Sequence, residues 1–270
     1  MEDERAPAIV AGPPGGVCDE DDACDGVADM TDFETITVPG HLSGYPGVAF
    51  GGYVAGVLAA RAAAKTVRVD FRRPVPTEAP VRLALTADGG VELVDGELLL
   101  ATASPAEPPV EAPGPPSWEL ASAAAEAFRA APPDGMVDCF GCGLHRTPDT
   151  GLRLHCGRVC GTPLVAAAWT PGPALAGPDG LLPPELVWGA LDCPGNAAGR
   201  LLDGRRAGAV TAALTARLLR PVPVGAGLVS YAWLLGGEGR KYRVGTALAT
   251  ADGDLCALGE ALWVEPRPQP

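Results

Sequence analysis

Polar and apolar residues first alternate at Phe33-Glu34-Thr35-Ile36-Thr37-Val38, the period of a half-buried strand. The Gly- and Pro-rich stretch GYPGVAFGG follows. After Gly52 it gives way to an Ala/Val/Leu run, to about Ala64, that is apolar nearly all round. Such a pattern predicts a helix buried on most sides. Gly56 inside it costs about 1 kcal/mol relative to Ala, so a close backbone approach is expected there. Strand patterns then occur at Thr66–Arg72, Val81–Leu85, Val91–Val94 and Leu98–Ala103. The segment PAEPPVEAPGPP reads as an extended linker. Ser117 is placed to cap a helix over WELASAAAEAFRA, with Leu120, Ala124 and Phe128 on one face. From Met136 the pattern restarts: strand-like runs at Leu152–Val159 and Leu164–Trp169, a helical segment ELVWGALD introduced by Pro183-Pro184, and strand patterns at Val210–Leu219, Gly227–Leu235, Tyr242–Thr250 and Leu255–Val264.

Both halves therefore read as strand, buried helix and antiparallel series. Each also carries the same stiff turn after the first strand of its series. Arg73-Pro74-Val75-Pro76 recurs as Arg220-Pro221-Val222-Pro223, 147 residues later (220 − 73). The shared order of elements around this turn points to a tandem duplication. The organisation expected is an acidic tail at residues 1–31, one repeat at 32–104, a Pro-rich linker with a short helix at 105–135, and a second repeat at 136–266.

Composition narrows the function. Hydrophobic residues make up 47% of the 270 and charged residues 20%, enough for a real core. A net charge of −13 argues against a nucleic-acid partner, whose phosphate backbone would be repelled. An anionic ligand would need a local basic rim, and Arg72, Arg73, Arg217 and Arg220 beside the two turns are candidates. The start, MEDERAPAIV, shows no apolar signal segment, and the long uncharged run Val159–Pro178 is interrupted by prolines. A cytoplasmic protein without a membrane partner is expected, its eight cysteines reduced.

A long helix wrapped by a curved antiparallel sheet, twice over, is an α+β arrangement that resembles the double hotdog fold. Three motifs carry the resemblance. AFGGYVAGVLA at Ala49–Ala59 resembles the helix start of the acyl-CoA thioesterase II family. CFGCG followed by GLRL, Cys139 to Leu154, resembles the opening of phenylacetyl-CoA-type thioesterases. ALDCPG at Ala190–Gly195 lies where such families carry a helix acid. The resemblance covers about residues 33–265. It implies hydrolysis of an acyl-CoA or another acyl thioester without a cofactor, by a chain that is free to form a homo-oligomer.

Thioester hydrolysis needs an activated water and donors for the developing oxyanion. The first N–H groups of a helix have no intrahelical partner, and glycine lets a carbonyl approach them closely. Phe50-Gly51-Gly52 offers this, whereas Pro183 and Pro184 have no N–H to give. The acid is distributed the other way. The first helix has Ala59 and Ala60 where one would sit, and the second has Asp192. In the resembled enzymes acid and glycine amide come from opposite hotdog units, which implies one complete site made of Gly51, Gly52 and Asp192. Asp192 can otherwise be a helix-end residue that is solvated or caps a loop. The resemblance also implies that Thr211 holds the water, although a β-branched residue suits a strand in any case. The family's glutamine on the last strand is unmatched: Ala261 falls there, with Glu260 beside it as a substitute candidate. Val54, Leu58 and Trp188 are expected along the acyl chain.

Cys139-x-x-Cys142 and Cys156-x-x-x-Cys160, with His145 and His155 nearby, offer a zinc ligand set by spacing. Cys156 falls in a strand pattern that turns it away, so no metal is expected. Cys193 has no histidine near it to act as a nucleophile's base, and His41 reads as a loop residue. A non-catalytic binder of acyl thioesters on the same fold is the alternative to the hydrolase. Hydration of an enoyl thioester is disfavoured, because position 197, five after Asp192, is Ala rather than His.

Overall fold

A computed structural model of the chain describes residues 33–267. The acidic segment read as a tail over residues 1–31 lies outside the described residues.

The first repeat runs β1 (Phe33–Thr37), the small hairpin β2 (Ser43–Tyr45) and β3 (Val48–Ala49), α1 (Gly51–Ala59), β4 (Thr66–Phe71), β5 (Pro80–Leu85), β6 (Val91–Asp95) and β7 (Leu98–Pro105). A connecting helix α2 (Trp118–Ala130) leads to β8 (Gly157–Arg158), β9 (Val165–Trp169), α3 (Pro184–Gly189), α4 (Cys193–Leu202), β10 (Val210–Leu218), β11 (Leu228–Glu238), β12 (Lys241–Thr250) and β13 (Leu255–Val264). Apart from the β2–β3 hairpin, the strands form one eleven-stranded sheet, ordered β1-β5-β6-β7-β4-β10-β13-β12-β11-β9-β8. The first five and the following β10-β13-β12-β11-β9 are the same order reversed. The two copies meet where β4 pairs antiparallel with β10, Leu214 opposite Val69.

The repeated turn does the same job in each copy. Ala49 N–H donates to Val75 O at 2.8 Å, and Leu182 N–H donates to Val222 O at 2.7 Å. Arg73 N–H bonds Leu100 O, and Arg220 N–H bonds Cys256 O. Val75 and Val222 are both buried. Flanking prolines fix the turn and the valine anchors it, so each copy's sheet is tied to the segment that starts its helix.

These equivalences set an offset of 133 between the helices (182 − 49). Their contact obeys it. A Cβ at Gly52 would sit 2.7 Å from Gly189 Cα, and one at Gly56 would sit 2.4 Å from Glu185 Cα. Positions 52 and 56 shifted by 133 are 185 and 189, so the two contacts are one contact seen from each copy. Gly56 is therefore present for close backbone approach, as the sequence predicts.

Four expectations are corrected. Helix α1 ends at Ala59 rather than near Ala64, and Ala63 N–H bonds Gly89 O instead of continuing the helix. The buried face of α2 is Ala121, Ala124, Ala125 and Phe128, while Leu120 is largely exposed. Ser117 Oγ does cap that helix by accepting Leu120 N–H. Leu152–Val159 is mostly not strand. Leu152 and Leu154 donate to Phe140 O and Gly141 O, folding this segment against the CFGCG loop, and Arg153 takes a positive φ of 57°. The helical segment of the second copy does not stop at Asp192: it turns there and restarts as α4, with Pro194 in the first turn, where no N–H is needed.

Helix α2 covers the outer face of the second copy. Ala121 and Ala124 join Ala166, Val229, Tyr231 and Trp233 in a second apolar cluster. This explains why Leu228–Trp233 is buried without alternation, as in a sheet covered on both faces. Tyr231 Oη donates to Pro113 O at 2.9 Å and ties the linker to the same face.

Gly56→Ala is expected to lower stability by about 1–3 kcal/mol through forced separation of α1 and α3, although alanine alone favours helix by about 1 kcal/mol. Gly114→Ala, which meets open space, should leave stability within about 0.5 kcal/mol. Equilibrium urea unfolding followed by circular dichroism compares the two.

Candidate functional site

Asp192 occupies the junction between α3 and α4 and is 3% exposed. Its Oδ2 accepts the Gly52 N–H at 2.9 Å, from the first turn of α1. Its Oδ1 accepts the Thr211 hydroxyl at 2.6 Å. Thr211 reaches it because β10 bulges between Thr211 and Ala213, which re-aims the side chain. Three elements from both copies thus converge on one carboxylate. Hydrogen bonds to a charged acceptor contribute about 1.5–3 kcal/mol each, which offsets part of the cost of burying it. Burial nevertheless dominates and pushes the Asp192 carboxyl up to about 6, against the pull of Thr211 and Gly52. It is a stronger base than an ordinary aspartate.

The equivalent place in the other direction has no aspartate and no glycine pair: Glu185 stands at the counterpart of Gly52. Asp192 corresponds to Ala59 by the same offset (192 − 133), and the equivalent helix start is Pro183-Pro184.

The part read for Gly52 is changed. Its N–H is bound to the carboxylate, so it does not face a substrate oxygen. Gly51 N–H has no acceptor among the described residues. Asp192 Oδ2 lies 3.3 Å from where a Gly51 Cβ would be.

Gly51, Asp192 and Thr211 open onto a cavity of about 320 Å³ at the junction of the copies. Phe50, Val54, Phe71, Leu154 and Trp263 supply apolar wall. Arg72, Arg73 and Arg200 supply positive charge. Trp188 and Leu58, expected beside an acyl chain, are instead buried in helix packing and do not line the cavity. Trp188 is held there because its Cβ and carbonyl meet Gly56 and Gly52. Arg217 and Arg220 belong to the other copy's turn, where Arg220 pairs with Asp254, and they are not on this rim. Glu260 faces the outer side of β13 and pairs with Arg243, with Nε at 3.0 Å. The residue opposite Thr211 on β13 is Trp263. His41 is exposed, and His155 is buried against Phe128 with Nε2 on Gly143 O.

Sequence reasoning missed two groups on this wall. Tyr45 Oη and Asn196 Nδ2 both donate to Ala209 O, at 3.2 and 3.4 Å. Burial pushes the Tyr45 hydroxyl up to about 12, so it stays a neutral donor. Cys139, Cys142 and Cys193 also gather here, their sulfurs all within 4.8 Å of one another. Cys139 accepts hydrogen bonds from both neighbours' thiols and from Gly141 N–H, which hold it well below the ordinary thiol range. The four-cysteine set suggested by spacing is not assembled: Cys156 and Cys160 stand outside this group, and Cys160 is exposed. The Cys139-x-x-Cys142 spacing signalled two of the three, and for Cys193 the sequence offered only its adjacency to Asp192.

Solved structures with this architecture span nearly the whole chain. The tesB protein of Mycobacterium avium subspecies paratuberculosis superposes with a TM-score of 0.59 at 14% identity, covering 87% of this chain and 93% of its own. A protein with a hot dog fold from Alicyclobacillus acidocaldarius gives 0.57 at 14%, covering 88% and 94%. The acyl-CoA thioesterase II TesB2 of Mycobacterium marinum gives 0.54 at 13%, covering 89% and 95%.

This chain is a double hotdog.

No protein-family model and no curated protein matches its sequence. The double hotdog's likeness to thioesterase II structures therefore lies in its fold, at identities too low to carry over residues one by one. No helix among the described residues is long and apolar enough to cross a membrane.

Gly51→Ala and Gly52→Ala should separate cleanly in thermal melts. A methyl at Gly51 meets only contacts of 3.3 Å or more, so the melting temperature should stay close to that of the parent. At Gly52 it meets Gly189 Cα at 2.7 Å and Asp192 Cβ at 2.8 Å, so a loss of about 1–3 kcal/mol is expected. Equal melts would contradict the close helix contact.

Proposed function

We propose that this double hotdog hydrolyses an acyl thioester of the coenzyme A class, with Asp192 as general base. The observation that carries the reading is a buried carboxylate, doubly held by Gly52 N–H and Thr211, on the wall of an apolar cavity whose rim bears arginines. Burial raises the Asp192 carboxyl to about 6, near the pH at which a general base works best. Water bound to Asp192 attacks the thioester carbon as its proton passes to the carboxylate. The carbonyl oxygen takes up negative charge against Gly51 N–H. The C–S bond then breaks, and the proton held by Asp192 goes to the departing sulfur. Apolar residues such as Val54 and Phe71 receive the acyl group, while Arg72 and Arg73 meet phosphate.

Binding without turnover is the second reading, and one observation favours it. Trp263, rather than a third polar residue, stands opposite Thr211.

Thiol release from a panel of short, long and aromatic acyl-CoAs tests both. Asp192→Asn should lower kcat by about 10²–10⁴-fold, and Thr211→Val by about 10–100-fold through loss of a bond to a charged group. Calorimetric binding with no thiol release, indifferent to Asp192→Asn, would favour the binder. Arg72→Ala/Arg73→Ala should raise KM for acyl-CoA and leave KM unchanged for an acyl thioester of a small thiol that lacks phosphate.

A further inference from the structure

The three cysteines beside Asp192 are not used by the hydrolytic reading. Cys139 and Cys142 belong to the CFGCG loop, and Cys193 arrives from the start of α4, 54 residues further along. Their sulfurs lie within 4.8 Å of one another, and Cys139 Sγ is 3.9 Å from Cys193 Sγ. Tetrahedral Zn–S bonds of about 2.3 Å place their sulfurs about 3.8 Å apart, and the Cys139–Cys193 pair already stands at 3.9 Å. A disulfide needs its sulfurs about 2.05 Å apart and uses only two of the three.

The loop is shaped around this cluster. Gly141 N–H donates to Cys139 Sγ at 3.2 Å, and Gly143 N–H donates to Cys139 O at 2.7 Å, curling the chain so that both loop cysteines point the same way. Amide donors on a sulfur favour its thiolate form, the form that binds metal. Glycine at 141 is required for the third ligand to arrive: a Cβ there would lie 2.5 Å from Cys193 Sγ. All three cysteines line the cavity, so an ion among them would be open to solvent on that side. Oxygen-seeking cations have nothing to bind in a group of three sulfurs.

We propose that Cys139, Cys142 and Cys193 form a three-thiolate site for one thiophilic d¹⁰ cation, Zn(II) or Cu(I), with its open coordination position toward the cavity. The ion would fasten the CFGCG loop to the start of α4, and so to the residue next to Asp192.

The test uses the full-length chain, reduced with a phosphine and freed of metal. Zn(II) and, anaerobically, Cu(I) are titrated against chromophoric chelators, and Co(II) serves as a spectroscopic probe. One equivalent of Zn(II) or Cu(I) should bind, and Co(II) should give a sulfur-to-cobalt charge-transfer band. Cys139→Ser and Cys193→Ala should each weaken binding by more than the about 10–100-fold that loss of a supporting contact costs. Cys160→Ser and the double variant Cys18→Ser/Cys24→Ser should bind as the parent does. If Cys139→Ser fails to fold, Cys193→Ala and the parent's cobalt spectrum decide. The proposal is overturned by absence of both ions at one equivalent, by binding that survives Cys193→Ala, or by a Cys139–Cys193 disulfide in the parent with no metal retained. None of these readouts depends on thioester turnover, so this site and the hydrolytic reading stand or fall separately.

Discussion

The contact on which the rest depends is the close crossing of α1 and α3. Two backbones meet at Gly52 against Gly189 and at Gly56 against Glu185, with no room for a single added carbon. This approach puts the free amide of Gly52 within hydrogen-bond reach of Asp192, 140 residues away. It also closes the two half-sheets into one, because helices seated this near each other allow β4 and β10 to pair. Side chains at these positions would hold the copies apart, and the carboxylate would lose one of its two partners.

Duplication gives this contact its symmetry, and divergence gives it chemistry. Each copy inherited a helix start and a position one helix further on, and the crossing brings each copy's start to the other's position. In one direction a glycine amide meets an aspartate. In the other, the counterparts are Glu185 and Ala59, so no carboxylate stands at the second position. A single site at the junction is the result, with its apolar wall drawn from both copies and its arginines from Arg72 and Arg73 of the first and Arg200 of the second. Helix α2 adds a further asymmetry by covering one outer face only, which leaves the first copy's sheet alternating and the second copy's buried on both sides.

Asp192 violates a local rule, and the fold explains how. It follows the end of α3 and precedes α4 without capping the amides of α4, so its carboxylate is free to turn to the first turn of α1 and to Thr211. The sequence suggests a helix end at Pro194, since proline commonly stops a helix. Proline is equally at home in a first turn, and only the path of the chain decides which applies. The same ambiguity hid α4 and, with it, Asn196 and Arg200 on the cavity wall.

Much of the fold was legible in the chain itself. Strand periods, the capping Ser117, the stiff Arg-Pro-Val-Pro turns and the buried helix with Gly56 are local matters, set by backbone preference and by the spacing of apolar residues. The unequal placing of Gly51-Gly52 and Asp192 was legible for the same reason, because it is a list of which groups each copy owns. What the tertiary structure alone decided is who touches whom. That Gly52 serves the carboxylate rather than the cavity, that Trp188 is buried between helices, that Glu260 faces outward and Trp263 inward, and that Cys193 rather than Cys156 joins Cys139 and Cys142 all depend on contacts between distant segments. A bulge of one residue at Thr211 or a turn at Asp192 reverses which face a side chain takes. Those irregularities leave no periodic trace in a sequence, because their cost is met by packing rather than by local propensity.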